Sequence, residues 1–299
     1  MTTNTQEITT NTQEMQYINL IDKIIKSGET RNTRNSITKG VFGEKLEFDI
    51  STSIPIITTK KLAWKVVIKE LLWFLSGSTD NQKLLDQNVT IWKGNASREY
   101  MDSIGFKDRE VNDLGPVYGH QWRHFNAEYI DHKTDYTNKG NDQIESILNL
   151  LKNDPMSRRI ILSAWNPSQL NQMNLPPCHL LAQFYVSNEK ELSCMMYQRS
   201  ADVGLGLPFN IASYTILTYI LAKLSNLKPK KLIITIGDAH IYENHIDTLK
   251  EQIKRQPFDF PTLQFNPHKT YSKISDFEID DFLIENYTYH DTLKMDMIA

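Results

Sequence analysis

Apolar positions recur with a helical period near the start of the chain. Ile18, Ile21, Ile24 and Ile25 share one side of a segment from Met15 to Ser27, and Gly28 supplies its stop. A strongly apolar stretch from Lys61 to Ser76, ending at Gly77, predicts a second helix. In Asn141–Asn153 the spacing of Ile144, Ile147, Leu148 and Leu151 predicts a third with one buried face. VFGEKLEFDI, RIILSAW, HLLAQFYV, LSCMMYQR and KLIITIG read as strands, because they are short, apolar and bounded by turn residues. Ile211–Leu224 is a buried helix between the last two. The basic, Thr-rich TRNTRNSITKG ahead of the first strand reads as a loop. Strands and helices mixed without regular βαβ alternation predict an α+β fold, with helices packed on one side of a large mixed β-sheet. No shift in composition divides the chain, so a single domain is expected over residues 16–299.

Residues 2–8, TTNTQEI, recur almost unchanged as residues 9–15, TTNTQEM. So polar a duplication buries too little to offset its ordering entropy, and residues 1–15 are expected to form a disordered tail. At 299 residues the chain is long enough for a substantial core. A net charge of −3 is too mild to argue for nucleic acid or membrane, so basic residues must be judged by position. Two Cys exclude a disulfide framework and point to a reducing compartment. The one His-x-x-x-His, His120 and His124, has no Cys or further His nearby, so no metal is expected. No apolar run reaches the roughly 18 residues needed to span a bilayer. The N-terminus has neither the cationic start nor the apolar core of a signal peptide, so a cytoplasmic location is expected.

Cys178 stands behind Pro176 and Pro177 with His179 beside it, and a Gln-Arg-Ser-x-Asp run follows twenty residues later. A thiol is a useful nucleophile only as the thiolate, which a nearby cation favours. A tight turn at Asn188-Glu-Lys would return Arg199 alongside Cys178. An arbitrary Cys is a small buried hydrophobe; the fixed backbone before this one and the polar cluster after it favour a nucleophile. Cys194, flanked by Leu192, Met195 and Met196, reads as inert core. Glu70 lies between Val66 and Phe74 at helical spacing. It is either a snorkelling surface group or a carboxylate in an apolar wall, and the second would raise its pKa.

The blocks PPCH, QRSADVGLGLPFNIASY, KELLWFLSGST, DLGPVYGHQWRHF, SRRIILSAWNP and GDAHIYENH together resemble the folate-dependent thymidylate synthases, which methylate dUMP. The resemblance runs from about Leu20 to the C-terminus and looks nearest to eukaryotic-type members. It implies a homodimer whose sheets pack back-to-back, with 5,10-methylenetetrahydrofolate as carbon and hydride donor. Cys178 would attack C6 of uracil, because C5 is not nucleophilic enough to be alkylated unaided. Glu70 would move protons, with Tyr118 and His179 in the polar network around the C5 proton. Asn210 would select uracil over cytosine, since its amide both donates and accepts; relatives acting on dCMP carry Asp there.

The resemblance also implies dUMP contacts from Arg34, Gln198, Arg199, Ser200, Asp202, His240 and Tyr242. Arg158 and Arg159 would reach across from the neighbouring subunit, since a dianion is held best by guanidinium forks. Folate contacts fall on Ile91, Trp92, Asn95, Leu175, Asp202, Gly206, Phe209 and the C-terminal Ala299. RNSITKGVFG lacks the two glycines of the family's R-T-G-T-G-T loop, which leaves Arg31 as a weaker alternative to Arg34. Lys93 replaces an acid beside Trp92, and HDT replaces HPT before the lid-like tail. The rival enzyme on this fold is a pyrimidine hydroxymethylase. Asn210 argues against a dCMP version but not a dUMP version. RNA binding as a primary role is disfavoured by the mild acidity and the lack of aromatic-basic motifs. The chain leaves no residues for a fused reductase.

Overall fold

The computed structural model describes residues 11–33 and 36–297. The isoleucine stripe becomes α1 (Glu14–Ser27), which buries Ile18, Ile21 and Ile24 together with Tyr17 and Leu20. It stops at Gly28, where a β-carbon would lie 2.6 Å from the Ile24 carbonyl oxygen. Residues 11–15, expected to belong to a disordered tail, are part of the fold. Asn11 is buried, with its Oδ1 accepting from the N–H groups of Gln13 and Glu14 and its Nδ2 donating to Phe258 O. Residues 1–10 lie outside the described residues.

The other helices are α2 (Trp64–Leu75), α3 (Gln82–Leu85), α4 (Arg98–Ser103), α5 (Tyr118–His124), α6 (Gln143–Asn153), α7 (Gly206–Leu224) and α8 (Ile246–Gln252). Asp142 caps α6 by accepting from Glu145 N. Gly77 follows α2 at φ +78, the left-handed conformation that ends helices at low cost for glycine. The buried helix expected from Ile211 begins five residues earlier, at Gly206, because Pro208 falls in the first turn, where a missing N–H costs nothing. That extension carries Asn210 onto the helix. α7 is buried on nearly every side, as an all-round apolar helix must be.

The strands are β1 (Glu29–Asn32), β2 (Ile37–Asp49), β3 (Ile161–Ser163), β4 (His179–Val186), β5 (Glu191–Asp202), β6 (Lys228–Tyr242), β7 (Thr262–Phe265) and β8 (Phe282–Glu285). Six form one sheet in the order β1-β2-β6-β5-β4-β3, parallel only between β5 and β6, while β7 and β8 pair separately. The mixed sheet matches the expected fold class. The Thr-rich loop is corrected: residues 29–32 pair antiparallel with residues 37–40 as an edge hairpin. All four β1 residues are exposed, so backbone bonds hold this edge and no apolar alternation announces it.

The pleat gives the sheet two unlike faces. Leu162, Ala182, Met196, Ile234 and Leu46 lie in register across five strands, and all are buried. Helix α7 packs over β5 and β6 and α1 over β2. One residue along, Ile161, Gln183, Met195, Ile233 and Glu47 form the opposite row, where Ile161 and Met195 are exposed. Among the described residues no helix is long and apolar enough to cross a membrane.

Ile220 is fully buried in α7. Ile220→Ala should therefore cost about 2–5 kcal/mol of unfolding free energy, through lost transfer energy and the cavity left behind. A urea titration checks this; an unchanged midpoint would mean that α7 is not the packed centre of the fold.

Candidate active site

Cys178 immediately precedes β4, and the β4–β5 pairing brings it to Arg199 as the turn predicts. Arg199 N–H donates to Cys178 O at 2.9 Å. The guanidinium donates from Nε to Pro177 O and from Nη2 to Pro176 O, both at 2.8 Å, and Nη2 lies 3.8 Å from Cys178 Sγ. The register steps from His179 opposite Gln198 to Leu181 opposite Tyr197, so β4 bulges beside the thiol. On the other side, Cys178 N–H donates to the Tyr118 hydroxyl at 2.7 Å. The electrostatic balance at the thiol differs from the expectation. Burial pushes the Cys178 thiol up, and Arg199 offsets only part of that. The guanidinium, already shared with two carbonyls, reaches sulfur at the long end of contact.

Tyr118 stacks on His179 with ring centroids 4.1 Å apart. Nδ1 of His179 is 2.9 Å from the Tyr214 hydroxyl. Burial pushes the imidazole down to about 3, so His179 is neutral and serves as a hydrogen-bonding ring. Burial likewise holds the Tyr118 hydroxyl well above its ordinary value. Phe74 touches the rings of Trp92, Tyr118 and His179, joining this group to α2. One turn earlier on α2, Glu70 Oε1 accepts from Trp92 Nε1 at 2.7 Å. Of the two readings left open for Glu70, the apolar wall is the one present. Burial raises its carboxyl to about 7, against the opposing pull of the Trp92 N–H.

Strand β5 also presents Gln198, whose Nε2 donates to Asn210 Oδ1 at 2.9 Å and to Ser200 O at 3.1 Å. Asp202 Oδ1 accepts from the N–H groups of Gly204 and Leu205 just before α7. It sits opposite His240 in the β5–β6 register. His240 Nδ1 is 3.1 Å from Asp238 Oδ1, and its ring meets Tyr242 edge to face.

A family model described as thymidylate synthase matches residues 15–299. The chain belongs to the thymidylate synthase family. It is 52% identical over 286 residues to a bifunctional dihydrofolate reductase-thymidylate synthase of Paramecium tetraurelia, covering 95% of this chain and 61% of that protein. A bifunctional dihydrofolate reductase-thymidylate synthase of Zea mays is also 52% identical over 286 residues, 54% of its length. The thymidylate synthase of Homo sapiens is 50% identical over 285 residues, 95% of this chain and 90% of that one. The chain thus spans only about half to three-fifths of these bifunctional relatives.

Set against the family's expected site, Cys178, Arg199, Tyr118 and His179 form one contact group, Glu70 and Trp92 a second that Phe74 joins to it, and Gln198, Ser200 and Asn210 a third on β5 and α7. Ile91, Leu175 and Phe209 are half-buried against the core, and Asn95 is buried with its carbonyl accepting from Asn174 Nδ2. Gly206 opens α7. Arg158 and Arg159 are exposed, and among the described residues neither guanidinium has a hydrogen-bond or ion-pair partner. Arg31, the weaker phosphate candidate, pairs with Asp238 at 2.6 Å instead. Arg34 and Ala299 lie outside the described residues. A cavity of about 1000 Å³ lined by Ser76, Arg123, His132 and Tyr136 contains none of the expected site residues.

Two groups escaped the sequence reading. Tyr214 stands one helical turn after Asn210 in α7, a spacing that could have flagged it. Lys60 is buried and donates to Gly204 O, and burial pushes its ammonium down to about 8 despite nearby Asp202. Nothing in its sequence neighbourhood distinguishes it from Lys61.

Glu70 carries a testable linkage. Its folded carboxyl titrates at about 7 against an ordinary 4.5, so the fold favours the protonated form. Stability is therefore fully present below pH 4.5 and is lost as pH rises through about 7, by roughly 3 kcal/mol in all. Glu70→Gln should lack that slope and gain on wild type across this window in urea titrations. Parallel pH profiles would refute the raised carboxyl.

Proposed function

We propose that this chain is a thymidylate synthase, converting dUMP and 5,10-methylenetetrahydrofolate into dTMP and dihydrofolate. The observation that carries the reading is the Cys178 thiol held against Arg199 at the bulged start of β4, in a chain of this family. Cys178 gives up its proton and its sulfur adds to C6 of uracil, which places carbanion character on C5. Burial opposes thiolate formation, and the guanidinium 3.8 Å away offsets part of that cost. Glu70, with its carboxyl at about 7, can both hold and release a proton near neutrality. Gln198 holds Asn210 Oδ1 by one lone pair, which leaves the other to accept from uracil N3–H and Nδ2 to donate to O4. Neutral His179 and Tyr118 line the C5 side, Tyr118 through water. Ser200, His240 and Tyr242 offer polar contacts to the nucleotide.

The residues present fit a folate. Trp92, Ile91, Leu175 and Phe209 are apolar walls, and half-buried Asp202 is an acceptor for ring N–H groups. The folate supplies the one-carbon unit and the hydride. A homodimer fits the outer face of the sheet, where Ile161, Tyr185, Met195 and Tyr197 are exposed. Arg158 and Arg159, exposed and without a guanidinium partner among the described residues, would serve the partner's phosphate site. Two unpaired cysteines fit a cytoplasmic location. No specific observation favours the hydroxymethylase alternative.

The absorbance of dihydrofolate, formed only when both substrates are present, tests the activity; consumption of the folate without it would mean hydroxymethylation. Cys178→Ser should lose at least about a thousand-fold in turnover while binding dUMP within a few-fold of wild type. Retention of a tenth of the activity would sink the covalent mechanism.

Donation across the dimer is tested by mixing inactive chains. A subunit with Arg158→Ala and Arg159→Ala should complement one carrying Cys178→Ala. The site with an intact thiol then receives both arginines from its neighbour. Random exchange makes about half the dimers mixed, each with one working site, so roughly a quarter of wild-type activity should return. Exchange without recovery would place the arginines in their own chain's site.

A further inference from the structure

Glu14 is fully buried, yet it lies outside every group described above and one residue before the span that matches the family model. Its carboxyl accepts from Thr58 N and Thr59 N at 2.9 and 2.8 Å and from the hydroxyls of the same residues at 2.6 and 2.7 Å. Donors on every side of one buried carboxyl fix the conformation of the Thr58–Lys60 loop. That loop is bound to two segments beside the candidate folate site.

The first is the C-terminal tail. His290 N–H donates to Thr58 O at 2.8 Å, and Arg255 Nη1 donates to both Thr59 O and Asp291 O at 2.8 Å. Further along, His245 Nε2 lies 2.8 Å from Asp296 O. Met295 passes so near Gly204 that a β-carbon there would sit 3.3 Å from its sulfur. The second is the Asp202–Gly206 turn. Lys60 donates to Gly204 O, and Tyr17, one helical turn after Glu14, donates to Val203 O at 2.9 Å.

We propose that Glu14 is a positioning residue for the folate half of the site, holding the Thr58–Lys60 loop so that the tail and the Asp202 turn are set together. The inference rests on the synthase reading for its kinetic part alone. Glu14→Gln keeps the shape but puts an NH2 group where only acceptors fit, against N–H groups that cannot turn away. The KM for methylenetetrahydrofolate should rise about ten-fold while dUMP binding stays within two-fold. Tryptic cleavage after exposed Lys294, followed by mass spectrometry of the unliganded protein, should quicken by about the same factor. A merely structural role would lower Tm without moving these two readouts. A folded Glu14→Gln chain with wild-type cleavage, or with faster cleavage but an unchanged folate KM, overturns the proposal. If that variant does not fold, Arg255→Gln decides: faster cleavage supports the anchoring and unchanged cleavage overturns it. A wild-type chain that forms no dihydrofolate would refute the synthase reading, and the cleavage arm would still decide the anchoring.

Discussion

The hydrogen bonds from Arg199 to the carbonyls of Pro176 and Pro177 set the geometry on which the rest of the site depends. Two successive prolines have no N–H to pair with a neighbouring strand, so this stretch of backbone cannot be held by a ladder. A guanidinium from the adjacent strand takes over that task with charge-assisted bonds, and leaves an edge of itself near sulfur. Because Arg199 belongs to β5, the thiol is located relative to everything else β5 carries. Gln198, next to Arg199, reaches Asn210 on α7, and Asp202, at the end of the strand, lies opposite His240 of β6. One strand therefore places the groups that chemistry on a pyrimidine would need.

Desolvation is the dominant influence on the titratable groups around this frame. Glu70 and Cys178 are raised and His179 and Lys60 lowered, each toward its neutral form, with burial the first cause in all four. A guanidinium does not follow that trend, since it keeps its proton under any protein condition. Arg199 thus brings a positive charge beside a thiol that burial pushes toward its neutral form. Such a site favours any species in which negative charge develops next to the arginine, because the low dielectric that penalises isolated charge also strengthens that attraction.

Much of this was legible in local pattern. Helix α1 follows from its isoleucines, β4 and β5 from short apolar runs bounded by turn residues, and the approach of Arg199 to Cys178 from the short turn between them. What escaped depends on distant partners. The edge hairpin of β1 has no buried residue to mark it, and Pro208 hid the first turn of α7. The upward push on the thiol comes from packing around it, which no residue adjacent in sequence encodes. Glu14 was hidden most completely, because it closes a polar repeat and its partners, Thr58 and Thr59, lie more than forty residues away.

The register of β2 against β6 joins Thr38 to Tyr242 and Asp49 to Lys231, across about two hundred residues of chain. Contacts so distant in sequence make the sheet slow to complete, since the loop must close before its pairing is rewarded. During synthesis β2 emerges long before β6, and until then the edge that will pair with β6 stays open. The central sheet therefore stays unfinished until β6 has been made. An open strand edge of this kind is where a folding chain is most exposed to mispairing before its sheet is complete.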